Sequence, residues 1–156
     1  MNITVLAVGT KMPRWVDEAV NEYAKRFGRD IQYALKEIKP EKRGAGVNAA
    51  QGMAAEEKRI LEAIPQGAFL VVLDERGKLL DSPALAQSID QAFADSRPLV
   101  FIIGGAYGVT DEVRERADLV WSLSPLVFPH QLVRLILVEQ LYRAQEISRG
   151  GKYHHG

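Results

Sequence analysis

Three apolar runs constrain this chain most: AFLVVL at 68–73, LVFII at 99–103 and LVWSL at 119–123. Each is apolar on both faces of a strand, so each needs cover on both sides, as strands of a parallel sheet have. The segments between them supply that cover. A helix over 82–93 is opened by Ser82 and Pro83, and a shorter one, capped by Thr110 or Asp111, reaches about residue 117. Upstream, residues 3–8 form a β-branched run closed by Gly9. Val16, Val20, Tyr23 and Phe27 share the face of a helix begun at Pro13 and ended by Gly28. A second strand spans 31–38, and Asn48 caps a helix over 49–63. Strands separated by helices define an α/β fold, a mostly parallel sheet with helices on both faces. With 156 residues it forms a single domain, 1–156.

The last helix, over 129–147, has no apolar stripe. Leu132, Val133, Leu135, Ile136, Leu137, Val138, Leu141, Tyr142 and Ala144 surround it. A helix apolar all round is buried all round, and a small domain seldom encloses a helix near its end. A second copy of the chain on the free side is the simplest cover, so a homodimer is expected.

Lysine plus arginine and aspartate plus glutamate are 20 each. Zero net charge argues against loose, non-specific nucleic-acid binding but leaves room for a local basic face. Cysteine is absent, which removes disulfides and thiolate chemistry and suits a reducing cytoplasm, the expected location. No run reaches the ~18 apolar residues of a membrane span, and the N-terminal run reads as a strand and not a signal peptide. No carboxylate–histidine spacing supports a metal site, so no metal and no membrane partner are expected.

In open parallel sheets, ligands bind beyond the carboxyl ends of the strands. Three segments follow the core strands: DERGK at 74–78, GGAYG at 104–108 and SLSPLVF at 122–128. All three should leave the same sheet edge and converge on one pocket. Gly104 and Gly105 let a ligand approach the backbone, although a glycine pair alone reads more readily as a tight strand-to-helix turn with no ligand. The spacing is neither the dinucleotide fingerprint nor a P-loop, which disfavours a nicotinamide oxidoreductase. The apolar loop of Leu123, Ser124, Pro125, Leu126, Val127 and Phe128 could wall a purine ring or serve as a buried connector. His130 and Arg134 share a face at the start of the last helix. Basic residues gather at Lys11 and Arg14, Lys25 and Arg26, and Lys42 and Arg43, where an arginine in a loop can grip phosphate. The tail reads Arg149-Gly-Gly-Lys-Tyr-His-His-Gly.

Taken together these residues resemble the ribosomal RNA large subunit methyltransferase H family, a compact branch of the SPOUT methyltransferases. The resemblance runs almost the full length. It includes AVGTKMP at 7–13 with Trp15, Glu22-Tyr23 with Arg26-Phe27, Lys42-Arg43-Gly44, and Leu73-Asp74. It continues with Ile103-Gly104-Gly105 and Gly108, and Ser122-Leu123-Ser124. Most specific are Pro129-His130, Leu132-Val133-Arg134, Glu139 and Leu141-Tyr142-Arg143-Ala144, with Tyr153-His154 at the end.

The resemblance implies a C-terminal trefoil knot, a homodimer, and S-adenosylmethionine bound by Leu73, Gly104, Gly105 and residues Leu123, Ser124, Pro125, Leu126, Val127 and Phe128. It implies methylation of N3 of a pseudouridine in 23S ribosomal RNA on the assembled ribosome. Because that imide nitrogen is a poor nucleophile until deprotonated, the site must stabilise an anion or remove a proton. Arg143 is expected to stabilise charge, His154 to handle the proton or position the base, Tyr153 to stack on RNA, and His130 to shape the donor pocket and tail seat. Lys42, Arg43, Arg14 and Lys152 are expected to bind RNA. The sequence departs from the family at the tail: Lys152 stands where proline is usual, and His155 where the family has arginine or lysine, with less charge near neutral pH. Two other readings stand beside this one: a non-catalytic ribosome-associated RNA-binding module, and a SPOUT enzyme acting on transfer RNA.

Overall fold

The computed structural model of the protein describes residues 1–42 and 48–156. In chain order its elements are β1 (Asn2–Val8), α1 (Arg14–Ala24), β2 (Gln32–Ile38), α2 (Ala49–Ala63), β3 (Phe69–Leu79), α3 (Ser82–Ala94), β4 (Leu99–Ile103), α4 (Asp111–Arg116), β5 (Leu119–Ser122) and α5 (His130–Ser148). The strands form one sheet in the order β2-β1-β4-β3-β5, and every pairing is parallel.

The period of two in each strand sorts the core into halves. Ile3, Val5, Ala7, Val71, Leu99, Phe101 and Ile103 meet Leu85, Ala86 and Ile89 of α3 and Leu137, Leu141 and Ala144 of α5. Leu6, Val8, Leu70, Val72, Val100 and Ile102 face the other way, onto Ile60 of α2 and Val113 of α4. Helices therefore cover both faces, as the doubly apolar runs require. Sequence-visible caps fix two helix starts: Asn48 accepts from the Gln51 N–H, and Thr110 from the Val113 N–H. Helix α3 begins at Ser82 with Pro83 in its first turn, as expected, and Asp81 caps it by accepting from the Ala84 N–H.

The expected end of β3 is different. Residues 74–78 read as a segment leaving the sheet, yet the strand resumes and runs to Leu79. Leu73 and Lys78 both pair with Trp121, so residues 74–77 are an excursion inside the β3–β5 ladder. Gly77 makes this possible: a Cβ there would lie 2.6 Å from the Val120 carbonyl oxygen and 2.7 Å from the Trp121 nitrogen.

Helix α5 is covered by one chain on one side only. Leu137, Leu141 and Ala144 face the sheet and α3, while Val138 packs on Val16 and Val20 of α1. Helical geometry puts Leu132 and Ile136 on the opposite side, where they are half-buried.

Gly77→Ala is expected to lower unfolding free energy by roughly 1–3 kcal/mol, the usual cost of forcing atoms into a filled space. Urea denaturation measures it; an unchanged midpoint would show that the excursion is not held against β5.

Candidate functional site

The carboxyl ends of β1, β4 and β5, with residues 73–76 inside β3, open into a pocket of about 960 Å3, within the size range of small-molecule sites. Its lining includes Leu73, Gly104, Gly105, Leu123, Ser124, Leu126, Val127 and Phe128. The three post-strand segments thus converge, and of the residues expected to hold a donor only Pro125 falls outside the lining. The glycine pair is required by packing. A Cβ on Gly105 would lie 2.8 Å from Val8 Cγ1, and one on Gly104 2.9 Å from Val109 Cγ1. The loop after β5 is shaped by its own hydroxyls: Ser122 Oγ donates to the Ser124 carbonyl at 3.0 Å, and Ser124 Oγ accepts from the Leu126 N–H at 2.9 Å. Leu126 and Val127 are left 70% and 79% exposed at the rim.

One wall is charged. Asp74, its side chain 9% exposed, accepts from Arg76 Nε and Nη2 at 3.1 and 3.0 Å, and from Arg114 Nη1 at 3.2 Å. The hydrogen bonds from Arg76 hold its carboxyl below the usual value of 3.8, against the upward push of burial. Trp121 also lines the pocket. It is buried, and its indole N–H has no hydrogen-bond partner among the described residues.

His130 begins α5 at the opposite wall. Its Nδ1 lies 3.1 Å from the Gly104 carbonyl oxygen and its Nε2 3.2 Å from Arg134 Nε. Burial, then the Arg134 charge, lowers its pKa below 6.5. Arg134, its side chain 1% exposed, also donates to Glu37 at 2.8 Å and to the Gly9 carbonyl at 3.0 Å. Sequence reasoning missed this fork. The available signal was an arginine inside a helix otherwise apolar all round. It also missed Arg76 and Arg114, which nothing in the strand pattern marks.

Arg143, Tyr153 and His154 gather elsewhere. Arg143 donates to Glu139 at 2.7 and 2.9 Å, which raises its pKa and keeps it charged, and its Nη1 lies 3.1 Å from His154 Nδ1. A guanidinium only donates, so His154 Nδ1 accepts and its Nε2 carries the hydrogen. The Arg143 guanidinium lies 4.8 Å from the Tyr153 ring centre, and Tyr142 meets that ring edge-on at 4.8 Å. Burial and a hydrogen bond with Tyr23 push the Tyr153 hydroxyl up to about 12, so it remains a proton donor. Thirteen residues of helix separate His130 from Arg143, about 20 Å of rise. Within one chain the tail therefore lies apart from His130, and the two groups are separate loci.

Of the expected RNA contacts, Lys42 is exposed and its carbonyl accepts from the Tyr107 hydroxyl at 3.3 Å, beside the pocket. Arg14 is exposed and pairs with Glu18 at 3.2 Å. Lys152 and His155 are exposed on the tail. Arg43 lies outside the described residues. Among the described residues no group of three or more His, Cys, Asp or Glu could hold a metal, and no helix is long and apolar enough to cross a membrane.

The model of one family, predicted SPOUT methyltransferases, matches residues 1–154. The chain is 68% identical over 154 residues to the ribosomal RNA large subunit methyltransferase H of Neisseria meningitidis serogroup C, covering 99% of each chain. It is 56% identical to the protein of that name from Chromobacterium violaceum, again over 99% of each. Among solved structures it is similar to a probable methylase family protein from Haemophilus influenzae Rd KW20, with a TM-score of 0.58, 12% identity, and coverage of 99% of this chain and 70% of that one. It is also similar to a TrmH/SpoU tRNA modifying enzyme from A. aeolicus, with a TM-score of 0.52, 17% identity, and coverage of 95% and 77%. At these identities the structural likenesses speak to fold alone.

Asp74→Asn tests the charged wall. A depressed carboxyl stabilises the fold above its unfolded pKa, and this stabilisation is lost as pH falls through the folded value. The variant is therefore expected to lose about 1–3 kcal/mol at neutral pH. The gap to wild type should narrow below pH 3.8. Urea unfolding at stepped pH measures both; a gap independent of pH would remove the carboxylate's role.

Proposed function

The chain belongs to the SPOUT methyltransferase family, and we propose that it methylates N3 of a pseudouridine in 23S ribosomal RNA on the assembled ribosome, with S-adenosylmethionine as donor. The observation that carries the reading is the convergence of Leu73, Gly104, Gly105 and the loop after β5 on one pocket, in a chain 68% identical to a protein named ribosomal RNA large subunit methyltransferase H.

The pocket suits such a donor on its own chemistry. Its volume is adequate, and its glycine backbone is open to close approach. It offers an acceptor in Asp74. S-adenosylmethionine supplies, when bound, a methyl group already activated on a sulfonium, so neither a metal nor a covalent enzyme nucleophile is required. Leu126, Val127 and Phe128 would hold the apolar part of the ligand and exclude water.

At the acceptor, Arg143 stabilises the imide anion left when N3 gives its proton to water; its contact with Glu139 keeps it charged and aimed. His154, its Nδ1 turned to Arg143, offers Nε2–H to an oxygen of the base and acts as a positioning donor. Tyr153 stacks beside it. Lys42, Arg43, Arg14 and Lys152 contact phosphates, and His155 adds charge only when protonated. His130 shapes the donor pocket.

The separation of the two loci supports a homodimer in which the tail of one chain serves the pocket of the other. The apolar outer side of α5, with Leu132 and Ile136, would lie in the seam. The family's C-terminal trefoil knot and action in the cytoplasm belong to the same proposal.

Purified protein given labelled donor with ribosomes, separated subunits or transfer RNA is expected to label only 23S RNA in ribosomes. Label confined to transfer RNA, or donor binding with no transfer, would overturn the reading. Shared sites have their own test: Ala106→Trp, which fills the pocket from an exposed lining position, mixed with Arg143→Ala. Each variant alone should be inactive. Statistical exchange should restore about a quarter of wild-type activity, since half the two-fold dimers carry one intact site of two. No recovery would place tail and pocket in the same chain.

A further inference from the structure

Resting on the reading that a cationic sulfonium donor occupies this pocket, we propose that Arg134 is a positioning residue that keeps His130 uncharged in its Nδ1–H form, so that this wall meets the ligand with a dipole and not a charge. The geometry leaves the ring little choice. A guanidinium cannot give up its proton and has no acceptor. Its Nε–H points at His130 Nε2 from 3.2 Å, so that nitrogen accepts. The ring hydrogen then sits on Nδ1 and is donated to the Gly104 carbonyl at 3.1 Å. Protonating the ring would set an N–H against an N–H and one positive charge against another.

The positive charge of Arg134 is itself answered. Glu37 on β2 pairs with Nη1 at 2.8 Å, and the Gly9 carbonyl takes Nη2 at 3.0 Å. The charged groups acting on the ring are Arg134 from α5, which opposes protonation, and Glu37 from β2, which favours it. The turn after β4 offers the Gly104 carbonyl, and the turn after β1 brings Met12 and the Gly9 backbone to this corner. Gly9, at φ 145°, has no room for more: a Cβ would lie 3.3 Å from Arg134 Nη2 and 3.4 Å from His130 Nε2. Arg134 and His130 together thus link three pocket walls: Arg134 reaches the end of β1, and His130, at the start of α5, reaches the end of β4.

Two measurements decide it. Nitrogen-labelled protein, with the ring signals of His130 assigned through His130→Gln, is expected to show the Nδ1–H form, still uncharged at a pH where an ordinary imidazole has taken up its proton. An Nε2–H ring, or an imidazolium near neutral pH, overturns the proposal without any variant of Arg134 having to fold. Calorimetric titration with S-adenosylmethionine gives the second readout. Wild type and His130→Gln should share one pH dependence of Kd, set by the ligand's own groups. Arg134→Met should add a further loss of roughly tenfold between about pH 8 and pH 6, as the freed ring gains charge. Arg134→Met with His130→Gln should lose that extra slope. An Arg134→Met that weakens binding equally at both pH values acts only through the fold and overturns the inference, while the functional reading stands. Failure of wild type to bind the donor at either pH overturns both.

Discussion

The corner around Arg134 is the constraint on which the rest of the site depends. Its guanidinium, almost wholly removed from solvent, reaches a carboxylate on β2, a carbonyl at the end of β1 and an imidazole on its own helix. Losing Glu37, whose side chain is 39% exposed, would leave the buried guanidinium without its carboxylate, a loss that solvent at the glutamate end partly screens. Here the penalty would fall on the junction between sheet and last helix. The pocket's floor and rim therefore rest on one residue that contributes no surface to the ligand.

The sheet sets where that corner lies. Parallel strands release their carboxyl ends on one edge, so four turns meet there without any long-range instruction. The excursion at 74–77 adds what regular strands cannot. It lifts Asp74 and Arg76 out of the β3–β5 ladder and into the wall, where Arg114 of α4 completes the group. Gly77 then returns the chain against the backbone of β5. An apolar sheet edge thus acquires one polar side, opposite the apolar loop of Leu126 and Val127.

Most of the fold was legible in the sequence because it is written in period and punctuation. The doubly apolar runs became β3, β4 and β5; Asn48 and Thr110 became caps; and the all-round apolar helix became α5. The donor-pocket residues were legible as segments that follow strands, and they meet. Other features were not legible, for physical reasons. The resumption of β3 after residue 77 depends on a glycine packed against a strand far away in sequence, which no local pattern reports. The contacts the tail makes within its own chain were not legible because Tyr153 and His154 meet Arg143, Glu139 and Tyr142 by cation–π contact, ring packing and hydrogen bonding, none of which is periodic. Arg134 looked like one more cation until its burial was known.

The distance between the two loci along α5 has a bearing on how much protein a cell would need. A lone chain with its pocket filled could hold a donor, yet its own tail stands about 20 Å away. On the proposed reading, total activity would then fall with the square of concentration, and turnover per chain in proportion to it, well below the dimer's dissociation constant. Newly made copies would be storage proteins for the donor before they were enzymes. Abundance itself, without an effector or a modification, would set a threshold below which RNA goes untouched.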